Sequence, residues 1–273
     1  MPYPQPAKRD CSVNSTESIY DVSDHWISCP SPNSKARVRL FFFPYAGAGS
    51  TTYHAWSRFL TPEIELYLVH LPGRDKRISE APFIHLAPLV EALTNALIQY
   101  LDKPFSFFGH SMGGLVGFEV VRQLRRQYSL LPVHLFVSGR LAPHLPDTRR
   151  KLHKLPEGEF LRATEERYGA LPEAVSQDRE LLQLFLSILR ADITLIETYQ
   201  YIDKPPLECP ISVFGGLQDH TLTRDELAAW RDQTEAQFDL KMFPGDHFFI
   251  QSSKMDIAQA INKDLEKSLS TRL

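Results

Sequence analysis

Cysteine is scarce in this chain, three residues among 273, and Cys11, Cys29 and Cys209 show no C-x-x-C spacing. That excludes a disulfide framework and gives no basis for a zinc site, and a reducing cytoplasm is the expected compartment. An excess of one charge is also lacking. Thirty Lys and Arg stand against 33 Asp and Glu, a net charge of −3, so there is no electrostatic footprint for nucleic acid. No apolar run approaches the roughly 20 residues that a membrane helix requires. The first 25 residues are rich in Pro, Ser, Asp and Asn and lack the apolar core of a signal peptide, so a flexible leader is expected over 1–25. Internal repeats are absent.

What remains is the composition of a compact enzyme, with 43% hydrophobic and 23% charged residues. One α/β domain is expected over 26–273. Strand-like apolar runs recur at Val38 to Phe43, Ile64 to His70, Phe105 to Phe108, Val133 to Ser138, Ile211 to Phe214 and Leu240 to Phe243. Helical patterns lie between them, as at His85 to Leu101. That alternation implies a mostly parallel sheet covered on both faces. The stretch from about 140 to 207 breaks the rhythm, because a strand-to-strand crossover needs only one helix. Glu157 to Tyr168 and Asp178 to Tyr201 read as amphipathic helices of a lid.

The most informative segment is Gly109-His110-Ser111-Met112-Gly113, placed where the run Phe105 to Phe108 hands over to an amphipathic helix with Leu115, Phe118, Val120 and Leu124. A serine flanked at two positions on either side by glycine is the sequence form of a nucleophile elbow: the strained turn brings neighbouring backbone against it, and only small residues fit. The acid and histidine partners are sought in loops after later strands. Ile211 to Phe214 leads into Gly215-Gly216-Leu217-Gln218-Asp219-His220, and Leu240 to Phe243 leads into Pro244-Gly245-Asp246-His247. Ser111, Asp219 and His247 are thereby expected on one rim at the carboxyl ends of the strands.

Asp246 adjoins His247 and is poorly placed to orient its imidazole, and Asp147 is a second alternative acid. His110 and the remaining histidines read as packing or surface residues. Two backbone donors for a tetrahedral oxyanion are also needed. The Met112 N–H follows the nucleophile, and the Ala46 N–H lies in the glycine-rich turn Pro44-Tyr45-Ala46-Gly47-Ala48-Gly49-Ser50. That turn is not a dinucleotide fingerprint, because Thr52 stands where the third small residue belongs, and no lysine follows in P-loop spacing.

Phe43-Pro44-Tyr45-Ala46-Gly47, Leu71-Pro72-Gly73-Arg74, Gly109 to Gly114, Leu189-Arg190-Ala191-Asp192 and Phe243-Pro244-Gly245-Asp246-His247-Phe248-Phe249 together closely resemble the type II thioesterases. These are free-standing α/β-hydrolases that accompany nonribosomal peptide and polyketide synthases, with vertebrate fatty-acid chain-terminating thioesterases as relatives. The resemblance runs from about Trp26 to the C-terminus, with departures at Ala48-Gly49 and at Asp246. It implies an α/β-hydrolase fold with a helical lid, and hydrolysis of acyl thioesters from the phosphopantetheine of acyl or peptidyl carrier protein domains acting in trans. No metal or cofactor is implied, and a monomer is expected. A medium-chain acyl-carrier-protein hydrolase, a general carboxylesterase and an inactive binding module are the alternatives. Arg149, Arg150, Lys151 and Lys154 form a basic cluster at the lid entrance, read as ordinary solvated surface or as a docking patch for acidic carriers.

Overall fold

The computed structural model describes residues 25–169 and 177–270. Residues 1–24, on which most of the expected leader and Cys11 fall, residues 170–176 within the expected lid, and residues 271–273 lie outside the described residues. Among the described residues there are seven strands: β1 (Ile27–Ser28), β2 (Val38–Phe43), β3 (Ile64–Val69), β4 (Phe105–His110), β5 (His134–Ser138), β6 (Ile211–Gly216) and β7 (Phe238–Phe243). They form one sheet in the order β1-β3-β2-β4-β5-β6-β7. Every pairing is parallel except β1 with β3. The short antiparallel β1 has too few residues to carry an alternating pattern, and the sequence reading places no strand there.

The central strands read as unbroken apolar runs because both faces are covered. Alternate residues point to opposite sides. Phe41, Phe43 and Phe107 enter one core with Leu89 and Leu93 of α1 (Leu86–Leu97) and Leu115 and Phe118 of α2 (Met112–Tyr128). Leu40, Phe42 and Phe108 enter the other with Tyr53 and Trp56. Between β5 and β6 lie α3 (Glu157–Tyr168) and α4 (Arg179–Glu197). The second expected lid helix, Asp178 to Tyr201, is shorter in the structure: it stops at Glu197, and Asp178 precedes it as the N-cap, accepting from the N–H groups of Glu180 and Leu181, which satisfies two donors the helix leaves unpaired. These two helices form a small core of their own, with Leu152, Phe160, Leu186, Leu189 and Ile193.

The short helices α5 (Arg224–Ala228) and α6 (Phe249–Ser252) precede α7 (Lys254–Ser270). The sequence reading places no helix at α7, although Ile257, Ile261, Leu265 and Leu269 recur every fourth residue and are buried against the second core. Among the described residues no helix is long and apolar enough to cross a membrane.

Candidate active site

Ser111 sits between β4 and α2 at φ 51°, ψ −113°, a left-handed backbone that costs a non-glycine residue energy. The neighbours enforce it. The Ser111 N–H donates to the carbonyl of Ser138 on β5 at 2.7 Å. A Cβ at Gly109 would stand 2.1 Å from the Gly113 carbonyl carbon, and one at Gly113 would stand 2.3 Å from the Phe43 carbonyl oxygen. Both glycines are therefore required by close approach, as the motif predicts.

Asp219 and His247 are brought together by stitching between the loops after β6 and β7. The Leu217 N–H donates to Phe243 O at 2.8 Å and the Gln218 N–H to Gly245 O at 2.9 Å, while the Gln218 side chain accepts from the Gly245 N–H. His247 Nδ1 then lies 2.8 Å from Asp219 Oδ2, with both side chains buried. The other carboxylate oxygen, Asp219 Oδ1, accepts from the N–H and hydroxyl of Thr221 at 2.9 and 2.6 Å. Burial opposes ionisation of Asp219, but the hydrogen bonds from His247 and Thr221 outweigh it and hold the carboxyl below its ordinary range. Thr221 is absent from the sequence reading. Its signal was local: a residue two positions after an aspartate commonly closes an Asx turn.

The alternative acids have other partners. Asp147 is paired with Arg149 at 2.7 and 2.8 Å, and although burial works against it, that guanidinium pulls its pKa down to about 2. Asp246 accepts from the Phe248 N–H at 2.8 Å. His110 is fully buried, as a packing residue would be, with Nδ1 2.9 Å from Ser138 Oγ and its ring 5.1 Å from that of His247. Burial, together with the neighbouring His247, holds its pKa well below the usual value. His220 is exposed.

Ser111 and His247 open onto one cavity of about 820 Å³. Ala46 and Gly47 form part of its wall, and the lid contributes Tyr168, Phe185, Leu189 and Ile193. Tyr168 stands 5.0 Å from the His247 ring, centroid to centroid, a contact with no sequence signal because 79 residues separate the two. In the turn beside the cavity, the Gly47 N–H donates to Asp192 at 2.8 Å and the Ala48 N–H to Tyr45 O at 3.0 Å. Among the described residues the Ala46 N–H has no hydrogen-bond partner. Met112, fully buried, begins α2, where the first N–H groups of a helix are unpaired by construction.

Part of the basic cluster is paired with carboxylates. Arg149 is held by Asp147, Arg150 lies 3.2 Å from Glu159, and His153 lies 2.5 Å from Glu197.

Comparison with known proteins matches residues 38–267 to the Thioesterase domain family. Gramicidin S biosynthesis protein GrsT of Aneurinibacillus migulanus is 41% identical over 248 residues, covering 91% of this chain and 96% of the relative. The medium-chain S-acyl fatty acid synthase thioesterase of Rattus norvegicus is 33% identical over 255 residues, covering 89% and 93%. Among solved structures, RedJ, a thioesterase from the prodiginine biosynthetic pathway of Streptomyces coelicolor, superposes with a TM-score of 0.80 at 33% identity, covering 87% of this chain and 95% of its own.

Proposed function

The chain belongs to the Thioesterase domain family, and on that premise we propose that Ser111, His247 and Asp219 hydrolyse acyl thioesters carried on the phosphopantetheine of carrier domains, the Ala46 and Met112 amides holding the oxyanion. The observation that carries this reading is the shared cavity: Ser111 and His247 open onto it together, with His247 held by Asp219 at 2.8 Å.

The chemistry follows from that arrangement. Ser111 Oγ attacks the acyl carbonyl while His247 Nε2 takes its proton, and Asp219 fixes the imidazole tautomer and stabilises its positive charge. Collapse of the tetrahedral intermediate breaks the C–S bond, and the His247 imidazolium returns its Nε2 proton to the departing thiolate, which leaves the imidazole neutral. A thiol of pKa about 8.5 leaves more readily than an amine. Water, deprotonated by His247, then attacks the acyl-serine; collapse breaks the C–Oγ bond, His247 gives the proton to Ser111 Oγ, and the carboxylic acid is freed.

The likeness to GrsT and to RedJ supports an editing thioesterase of nonribosomal peptide or polyketide assembly, clearing aberrant or stalled acyl groups. In this reading the enzyme is a cytoplasmic monomer and its carriers act in trans. It comprises a leader over 1–25 and a thioesterase domain over 26–273, with the lid at about 140–207.

The test presents purified enzyme with acyl-carrier proteins, matched acyl-pantetheines and oxygen esters of the same acyl chain, scored by intact mass. Hydrolysis should favour the thioesters, and Ser111→Ala and His247→Ala should each lower kcat by about 10⁴-fold or more, without additive losses in the pair. Asp219→Asn should fold yet lose about 10³- to 10⁴-fold through the wrong imidazole tautomer. Near-normal turnover by Ser111→Ala would overturn the mechanism. Equal rates on oxygen esters would assign a general esterase.

A further inference from the structure

Two motifs of the sequence, Leu71-Pro72-Gly73-Arg74 and Leu189-Arg190-Ala191-Asp192, have no part in the chemistry above, yet the fold joins them in one buried cluster. Arg74 Nη1 and Nη2 donate to Asp192 Oδ2 and Oδ1 at 2.7 and 2.8 Å. Both side chains are almost wholly excluded from solvent, at 5% and 3% exposure. The pair does not close on itself. Asp192 Oδ2 also accepts the Gly47 N–H at 2.8 Å, and Arg74 Nη1 also donates to the Ala48 carbonyl at 3.1 Å. One ion pair therefore grips the turn after β2 at two successive residues, reaching it from the loop after β3 and from the lid helix α4.

That turn has a defined shape. The Ala48 N–H donates to Tyr45 O, and Gly47 lies at φ 76°, a conformation suited to the third residue of a tight turn. In a trans peptide the carbonyl and the N–H point in opposite directions. With Tyr45 O turned toward Ala48, the N–H of the same peptide, that of Ala46, is directed the other way. We propose that the Arg74–Asp192 pair is the positioning device of the oxyanion site, fixing the Gly47 and Ala48 peptides so that the Ala46 N–H stays aimed at the developing charge. This rests on the assignment of Ala46 as an oxyanion donor.

Stability alone gives no reason for such a pair. Desolvating two charges offsets much of their attraction, and apolar residues of similar volume commonly stabilise a core as well or better. A bidentate guanidinium–carboxylate contact does supply direction, because its planar fork accepts one geometry. Oxyanion donors act through such preorganisation, and loss of one costs about 10²- to 10³-fold in kcat. Displacing one should cost part of that. The anchor lies on the same helix that supplies Leu189 and Ile193 to the cavity wall, so a shift of α4 would move the pocket and the oxyanion donor together.

The experiment compares wild type, Asp192→Asn and the double variant Arg74→Met/Asp192→Leu. The double variant leaves no unpaired buried charge but removes the anchor on Gly47. For each, kcat and KM are measured on hexanoyl-pantetheine, normalised to the active sites titrated by a fluorophosphonate, and Kd is measured for hexylboronic acid, whose serine adduct is tetrahedral. The expected result is a fall in kcat of about tenfold for Asp192→Asn and about 100-fold for the double variant, with KM within about twofold. Boronate affinity should fall in parallel. Wild-type kcat per titrated site and unchanged boronate affinity in either variant would overturn the proposal, leaving the pair a stability element. If the double variant does not fold, Asp192→Asn decides alone, since it keeps the volume but its single oxygen cannot serve both the Arg74 fork and the Gly47 N–H, so the anchor is broken in either orientation of the amide. A wild-type enzyme that binds hexylboronic acid no better than hexanol would overturn the oxyanion assignment itself, whatever the variants do.

Discussion

Two turns lie side by side at the ends of the paired strands β2 and β4, both lining the cavity, and they are held by opposite means. The elbow around Ser111 is fixed by backbone: Gly109 and Gly113 touch main chain on every side, and the Ser111 N–H is tied to the adjacent strand. The turn around Ala46 is fixed largely by side chains from a distance, namely Arg74, Asp75 and Asp192. Asp75 receives the N–H and hydroxyl of Ser50 at 2.8 and 3.0 Å, and itself sits at φ 51°. A backbone-held turn is rigid but tolerates no added atom. A side-chain-held turn meets side-chain atoms that can shift, so its geometry is only as good as its remote anchors.

The sharpest way to break this comparison is a single methyl group in the elbow. Gly113→Ala places a carbon against the Phe43 carbonyl at 2.3 Å, where neither strand nor helix can yield. It should cost about 4 kcal/mol or more, a loss reserved for severe core and backbone defects, and should abolish a cooperative thermal transition near the wild-type Tm. A variant with unchanged Tm and activity would show that the elbow, too, can adapt.

Acid should separate the two turns next. His110 lies in the elbow, and His134 begins the neighbouring strand β5, opposite Ser106 at the far end of β4. Burial keeps both neutral, lowering the pKa of His110 well below the usual value and that of His134 to about 4. A histidine whose folded pKa is depressed contributes stability that is present above its unfolded value near 6.5 and is lost as pH falls toward the folded value. For His134 the loss at pH 5 should be about 2 kcal/mol. His134→Gln, which can still bond the hydroxyls of Ser212 and Ser268, should flatten the stability profile between pH 6.5 and 4 by that amount. Denaturant unfolding across this window would show it, and parallel profiles would refute it. The anchors of the Ala46 turn include no histidine.

The smallest effect tests the far end of the side-chain-held turn. Asp75→Asn tolerates the positive φ and keeps an acceptor for Ser50, so it should cost about 1 kcal/mol and lower kcat no more than severalfold. A loss as large as that of the Arg74 and Asp192 variants would move the weight of the positioning argument from that pair to Asp75.

The same contrast explains what could be read from the chain. Ser111 was legible because its constraint is local: the glycines that admit the turn lie within two residues of it. The strands β2 to β6 were legible because burial on both faces leaves a largely apolar run, whereas the half-buried edge strand β7 showed only its second half, Leu240 to Phe243. Asp219 and His247 could be named by their place after successive strands, but their approach depends on Gln218 and Gly245 joining two loops. Thr221 was missed although its turn signal lies beside Asp219. Tyr168 and the Arg74–Asp192 pair were beyond reach, since 118 residues separate that arginine from its carboxylate and neither residue has a local partner to betray it.

By itself, then, the sequence determined which segments become strands, where the chain must turn sharply, and which side chains are the candidates for acyl-transfer chemistry, because these follow from periodicity and from steric limits within a few residues. Only the tertiary structure decided how the lid helix meets the turn at Ala46, what lines the cavity, and which charges are buried in pairs. Those outcomes depend on volume and direction between distant segments, and packed layers set them jointly rather than any one stretch of residues.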